Sequence, residues 1–364
     1  MSAAKFILNI LSKHPQRGKR AKGFTLIELL VAMILTALII TPLLGFAVSI
    51  MTTDRQEQAK VASQQEIQAS LDYMAQDMQQ AIYIYDAQGL SADGILNQIP
   101  PLQATTGCNN AGECTPVLAF WKRRYLDKGD TINGVIIGEI PDENRGSDRF
   151  VYALVVYYLI QDPPGNNTVW SPVARIGRFE IRGGIPNSDT PNPNDFYLPP
   201  SDGFADFPEI INEWVKGPGA YTTAVETLID YIDDTPAANF TATAPQFQPP
   251  TNDGAVAATG APTSIGCNQR IAANEPAANK NASRVPADDT SLAVTTGSFY
   301  ACVNPINSQG QSVAQIFIRG NALPRINTSP NSWAVTPGNQ TSQLANRPVA
   351  SVLVSVRGLI SGDE

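Results

Sequence analysis

The chain has 364 residues, 43 % hydrophobic and only 16 % charged, which is enough apolar material for a sizeable core in one large or two ordinary domains. Its formal charge of −8 is unevenly spread: residues 1–23 carry six basic residues and no acid, leaving 19 basic against 33 acidic residues. A body that acidic excludes a broad phosphate-binding face, so no nucleic-acid partner is expected. The single histidine, His14, lies in the basic segment, so the rest of the chain has no imidazole for Ser-His-Asp or Cys-His catalysis or for a His-rich zinc site.

The basic segment runs into Gly23-Phe24-Thr25-Leu26-Ile27-Glu28, and from Leu29 to Met51 there is no charge over 23 positions. As a helix that run covers roughly 35 Å, enough for a hydrocarbon core of about 30 Å. Basic residues before it and an acidic chain after it orient the N-terminus to the cytoplasm and the body to the outside. A cleaved secretory signal has a shorter apolar stretch followed by its cleavage site, whereas here the break in composition comes first, at Gly23. A plain signal anchor gives no reason for Glu28, because a carboxylate in the membrane costs a few kcal/mol or more unless it finds a partner.

Beyond the membrane the helix is predicted to continue to about Tyr83. Ile67, Leu71, Met74, Met78 and Ile82 form one apolar stripe between polar Gln64, Gln68, Asp72, Gln76 and Gln79. Pro42 and Gly45 are the expected points of bending.

Lys22-Gly23-Phe24-Thr25-Leu26-Ile27-Glu28 resembles the leader junction of type IV prepilins and type II secretion pseudopilins. The resemblance implies cleavage after Gly23 by a membrane prepilin peptidase and N-methylation of Phe24. Lys22, Thr25, Leu26 and Ile27 would belong to the recognition motif. It also implies that Glu28 pairs with the N-terminal amine of a neighbouring subunit on assembly. The segment Leu71–Ala81 resembles the larger minor subunits of the PilW and GspJ type, which sit at or near a filament tip. Implied partners are other major and minor pilins or pseudopilins, the membrane, and indirectly an assembly platform protein and its ATPase. The implied place is the inner (cytoplasmic) membrane, with a single span, and then the filament. The expected organisation is a cleaved leader at 1–23, a transmembrane and spine helix at 24–85, and a β-rich head at 86–364.

In the head, short apolar runs between turn residues predict strands. The clearest is Arg149–Ile160, RFVYALVVYYLI, followed by a turn from Asp162 to Asn167 and a second strand within Trp170–Ile181. These two resemble a hairpin of the same minor subunits. Further strands are expected at Pro116–Trp121, Thr131–Ile140, Ser298–Val303, Val313–Ile318 and Val349–Leu359, with short helices near Ile210–Val215 and Thr223–Tyr231. The fold class is therefore α+β, with a long helix on an antiparallel sheet, which is the pilin plan. Residues 235–297 are poor in large apolar groups and read as a flexible or irregular surface insertion.

Cys108, Cys114, Cys267 and Cys302 all lie on the expected outside, which suggests two disulfides in one of three connectivities. Cys108–Cys114, which closes a small loop, and Cys267–Cys302, which pins the insertion, are the favoured pairs. Acidic clusters at Asp233-Asp234, at Asp288-Asp289 and at Asp202, Asp206 and Glu209 are read as solvated loops. None has the spacing of a dedicated calcium loop, although some pseudopilins bind that ion. No cofactor and no catalytic residue is expected. Trp170, Trp214 and Trp333 are expected in the core or at its rim. Gln315–Leu323 and other scattered body segments resemble the pseudopilins of the hormogonium polysaccharide secretion system of filamentous cyanobacteria, which implies polysaccharide export and gliding motility. The alternatives are a minor pilin of a general type IV pilus, serving twitching, adhesion or DNA uptake, and a membrane-anchored sugar-binding or sugar-cleaving protein.

Overall fold

The computed structural model describes residues 23–100, 108, 113–162, 169–190, 192, 194–208, 210–240, 267, 283–287, 290–304, 311–327, 329, 333, 335 and 343–357. Helix α1 (Leu26–Gln79) runs through Pro42 and Gly45 without a break in assignment. The chain divides into two units, Met1–Asp54 and Arg55–Glu364. In the first, the apolar side chains from Leu26 to Met51 are exposed on every face of the helix. Hydroxyls that would be costly in an apolar medium are satisfied locally: Thr36, Thr41, Thr52 and Thr53 each donate to the carbonyl four residues back, at 2.7–3.0 Å. Leu26–Gln79 is long and apolar enough to cross a membrane.

In the second unit, the helix buries Ile67, Leu71, Met74 and Met78, together with Ala59, Ser63, Ser70 and Asp77. It stops at Gln79, short of the expected Tyr83, because AIYI at Ala81–Ile84 is strand β1. That β-branched and aromatic run gains a ladder partner, with Ile84 opposite Phe120, so Ile82 leaves the helical stripe.

Strand β2 (Cys114–Leu126) is followed by the short hairpin β3 (Thr131–Ile132) and β4 (Val135–Ile136). One strand was expected over Thr131–Ile140; Asn133 and Gly134, both at positive φ, turn the chain there instead. Next come β5 (Arg149–Ile160), β6 (Ala174–Arg182), the small pair β7 (Ile185–Pro186) and β8 (Phe196–Leu198), and β9 (Glu226–Ile232). The main sheet is antiparallel in the order β1-β2-β5-β6-β9. The β5–β6 hairpin runs in register from Ala153–Arg182 to Ile160–Arg175. Most of its expected turn, 163–168, lies outside the described residues. The helix expected near Thr223–Tyr231 is overturned: ETLIDYI pairs with β6 as an edge strand, where its Thr, Ile and Tyr side chains fit a pleated surface. Near Ile210–Val215 there is only a 3₁₀ turn, Ile211–Glu213.

A second antiparallel sheet has the order β10-β11-β12-β13, from β10 (Ser283–Val285), β11 (Phe299–Asn304), β12 (Gln311–Arg319) and β13 (Val349–Arg357). Strand β10 and helix α2 (Leu292–Thr296) fall inside the segment read as a flexible insertion. That reading fails where Val285 and Ala293 reach the core and β10 pairs with β11. Cys108 is bonded to Cys114 and Cys267 to Cys302, so the second bridge ties the insertion to β11.

Among the described residues, two charge networks sit inside the head. On α1, Asp77 accepts from Lys122 at 2.7 Å, from the Arg178 Nε at 2.9 Å and from the Tyr157 hydroxyl at 2.8 Å, which fastens the helix to β2, β5 and β6. Glu180 pairs with Lys122, Arg124 and Arg178 beside it. The opposite face of β2 presents Trp121, which packs edge-on against Phe204, Phe207 and Trp214. The second network joins the two sheets. Asp233 follows β9, is fully buried, and accepts from Arg319 Nε at 2.8 Å and Arg347 Nε at 3.1 Å. Its backbone N–H bonds to the Arg319 carbonyl, and Gly320 lies opposite Ile232. A Cβ at Gly320 would come within 2.7 Å of the Ile67 Cδ1 methyl on α1, so a side chain there would have to displace that methyl.

Its neighbour Asp234 is pushed up to about 6, by burial first and by the charge of Asp233 second. The Gln161 amide and Arg347 oppose this in part. The folded state therefore holds this proton more tightly than the unfolded chain, and the group costs stability as pH rises from about 4 through 6. Asp234→Asn is expected to raise the thermal midpoint at pH 7.5, by the equivalent of about 1–3 kcal/mol. At pH 4 it should give no gain; an equal gain at both pH values would refute the account.

Candidate functional site

The first described residues form a local structure of their own. Gly23 to Thr25 are not helical, and Leu26 opens α1, so Thr25 occupies the N-cap and Glu28 the third helical position. Thr25 Oγ1 accepts from the Glu28 N–H at 3.3 Å, and Glu28 Oε2 accepts from the Thr25 N–H at 3.3 Å and from the Thr25 hydroxyl at 3.3 Å. This reciprocal pair is a capping box, which satisfies two otherwise orphaned donors and places a carboxylate at the positive end of the helix. The T-x-x-E spacing ahead of an apolar run carries that signal in the sequence, and it gives the Glu28 carboxylate a partner within its own helix.

Phe24, Leu26 and Ile27 are exposed. A side chain added at Gly23 would meet nothing within 4 Å, and its backbone is not in the left-handed region. Neither space nor conformation therefore demands glycine at that position. Lys22 and the rest of the basic segment lie outside the described residues.

The other candidate residues do not gather around this segment. Asp233, read as part of a solvated acidic loop, is the fully buried centre of the second network, because Arg319 and Arg347 supply the charge that lets it leave water. Asp202 accepts from the Thr222 hydroxyl at 2.7 Å. Glu209, Asp288 and Asp289 lie outside the described residues. Trp214 and Trp333 are buried, while Trp170 is exposed, with the Arg175 guanidinium over its ring. Among the described residues, no three His, Cys, Asp or Glu side chains are grouped as a metal would require.

Residues 18–44 match the family described as the prokaryotic N-terminal methylation motif. No curated protein and no solved structure matches the chain. The matched residues span the end of the basic segment, the Gly23–Phe24 junction, the capping box and the first turns of the apolar helix. An N-terminal apolar helix followed by an antiparallel β-sheet domain is an α+β arrangement consistent with a pilin fold. The motif implies processing by a prepilin peptidase and assembly with other pilins, and together with the fold it supports a membrane-anchored, type IV pilin-like protein.

Proposed function

We propose that the chain is a non-enzymatic minor pilin or pseudopilin, cut between Gly23 and Phe24, methylated on Phe24 and built into a type IV pilus-like filament. The observation that carries this reading is the methylation motif seated on the capped start of an apolar helix. Before cleavage the subunit rests in the inner membrane with its N-terminus in the cytoplasm and its head outside. In that state the Thr25–Glu28 box shields the carboxylate, lowering a cost that would otherwise be a few kcal/mol. On assembly Glu28 exchanges its own Thr25 N–H for the charged amine of a neighbouring Phe24, a stronger, charge-assisted bond. The large head, with two main sheets, suits a subunit at or near the tip, with a platform protein and ATPase driving assembly. In the finer reading the filament supports polysaccharide secretion and gliding motility.

The first test is the N-terminal mass of protein from native membranes with and without prepilin peptidase. A chain starting at methylated Phe24 only when the peptidase is present supports the proposal; an intact leader in both samples overturns it. Glu28→Gln separates the two roles of that residue, since an amide keeps the capping box but has no charge. Processing should be normal, and incorporation into sheared filaments should fall at least tenfold. Wild-type incorporation would refute the proposed pairing.

A further inference from the structure

The first charge network opens onto a cleft of about 470 Å³ lined by Tyr73 of α1, Lys122 and Arg124 of β2, Arg178 and Glu180 of β6, and Thr223, Ala224 and Glu226 at the start of β9. We propose that this cleft binds a neutral sugar ring. Its volume lies within the ~300–1,000 Å³ of small-molecule sites, and its wall is polar rather than apolar.

Charge selects the ligand class. Three cations line the cleft, Lys122, Arg124 and Arg178. Against them stand Glu180 and Glu226 on the wall, with Asp77 bonded to Lys122 and Arg178 behind it. The formal charges of these six groups cancel, Arg182 beside Arg124 adds one positive charge, and a phosphate or uronate would still meet two carboxylates on the wall. The cleft does offer closely spaced donors and acceptors in fixed positions. Lys122 and Glu180 have side chains 8 % and 10 % exposed and are bonded at 2.9 Å, while the Arg124 side chain is 41 % exposed. Hydroxyls on a sugar both donate and accept, and they match such a mixed wall where an ion does not. The C–H face of the ring needs an apolar surface, which the exposed Tyr73 ring supplies, with the Arg178 guanidinium 5.8 Å from its centroid. Ion pairs already hold the polar side chains, so binding immobilises few of them.

For the source of its sugar in the cell, the site rests on the polysaccharide reading above; binding itself does not depend on filament assembly. The experiment is saturation-transfer NMR on the full chain in micelles of an amine-oxide detergent, which has no sugar headgroup. The probes are cellobiose, maltose and lactose, compared with glucuronate and glucosamine. At least one neutral disaccharide should bind in the millimolar range. Tyr73→Ala and Glu226→Gln should each weaken it at least fivefold with the thermal midpoint kept, and Trp170→Ala, at an exposed ring outside the cleft, should not. No transfer to any neutral probe, binding that survives both cleft variants, or glucuronate preferred tenfold would each overturn the assignment. Sugar binding by a chain whose leader stays intact in native membranes would refute the pilin reading and leave the cleft standing. Correct processing with no binding would do the reverse.

Discussion

Asp233→Ala is expected to cost the head about 3–5 kcal/mol, because it strands two buried guanidinium groups without their shared carboxylate. Arg319 and Arg347 are both buried, and burial already pushes Arg319 below its ordinary range, against the pull of Asp233. Their remaining N–H groups are aimed at fixed acceptors: Arg319 at the Thr235 and Thr296 carbonyls, Arg347 at the Trp333 and Gln343 carbonyls. The Phe240 ring lies 4.6 Å from one guanidinium and 5.8 Å from the other. Neither arginine can turn to water without breaking those bonds, so the full penalty of an unpaired charge falls on the folded state. The network spans the junction of β9 with β12, and its loss should loosen the two sheets from each other. Near-UV circular dichroism of the full chain in detergent should show a thermal midpoint lower by roughly 10 °C. Replacing the carboxylate and both arginines together, as Asp233→Leu, Arg319→Met and Arg347→Met, should recover much of that loss, since packed apolar groups need no partner. A loss below about 1 kcal/mol in the single variant would mean that the arginines escape to solvent.

What could be read from the sequence follows from where the determining interactions lie. The apolar run from Leu29 to Met51, the stripe Ile67, Leu71, Met74 and Met78, and the dense strand Arg149–Ile160 are local patterns, and each became the expected element. The end of α1 was misplaced because Ile82 satisfies helical spacing as well as it satisfies a strand; the ladder with β2, supplied by residues some forty positions away, decides between them. β9 went the same way, since only pairing with β6 makes ETLIDYI a strand. At the candidate site, Gly23, Phe24 and Glu28 stood out by type and order, yet the reciprocal bonding of Thr25 and Glu28 was overlooked although T-x-x-E was legible. The two buried networks could not be read at all. Asp77 sits at a helical position that spacing alone would call either face, and its partners lie 45 to 101 residues away. Asp233 finds Arg319 and Arg347 across 86 and 114 residues.

Asp77→Ala carries the other large expected loss, again about 3–5 kcal/mol, and hydrogen exchange tests whether that loss falls at the helix. The variant leaves Lys122, Arg124 and Arg178 around Glu180 alone, and it removes the acceptor of the buried Tyr157 hydroxyl. Glu180 itself is held down to about 2: burial would raise it, but Arg178, Lys122 and Arg124 outweigh burial. Because its folded value lies below its unfolded value, Glu180 contributes its stability above pH ~4.5 and loses it as pH falls toward ~2. That acid limb belongs to Glu180, so it should persist in Asp77→Ala, displaced to lower stability throughout, and flatten in Glu180→Gln. Hydrogen exchange of the α1 amides from Ile67 to Gln79 should speed up in Asp77→Ala, since the bonds from Asp77 to Lys122, Tyr157 and Arg178 are polar ties of that turn to three different strands. Unchanged exchange alongside a lowered midpoint would place the loss in the sheet rather than at the helix. The stripe of Ile67, Leu71, Met74 and Met78 would then be sufficient to hold the helix on the head.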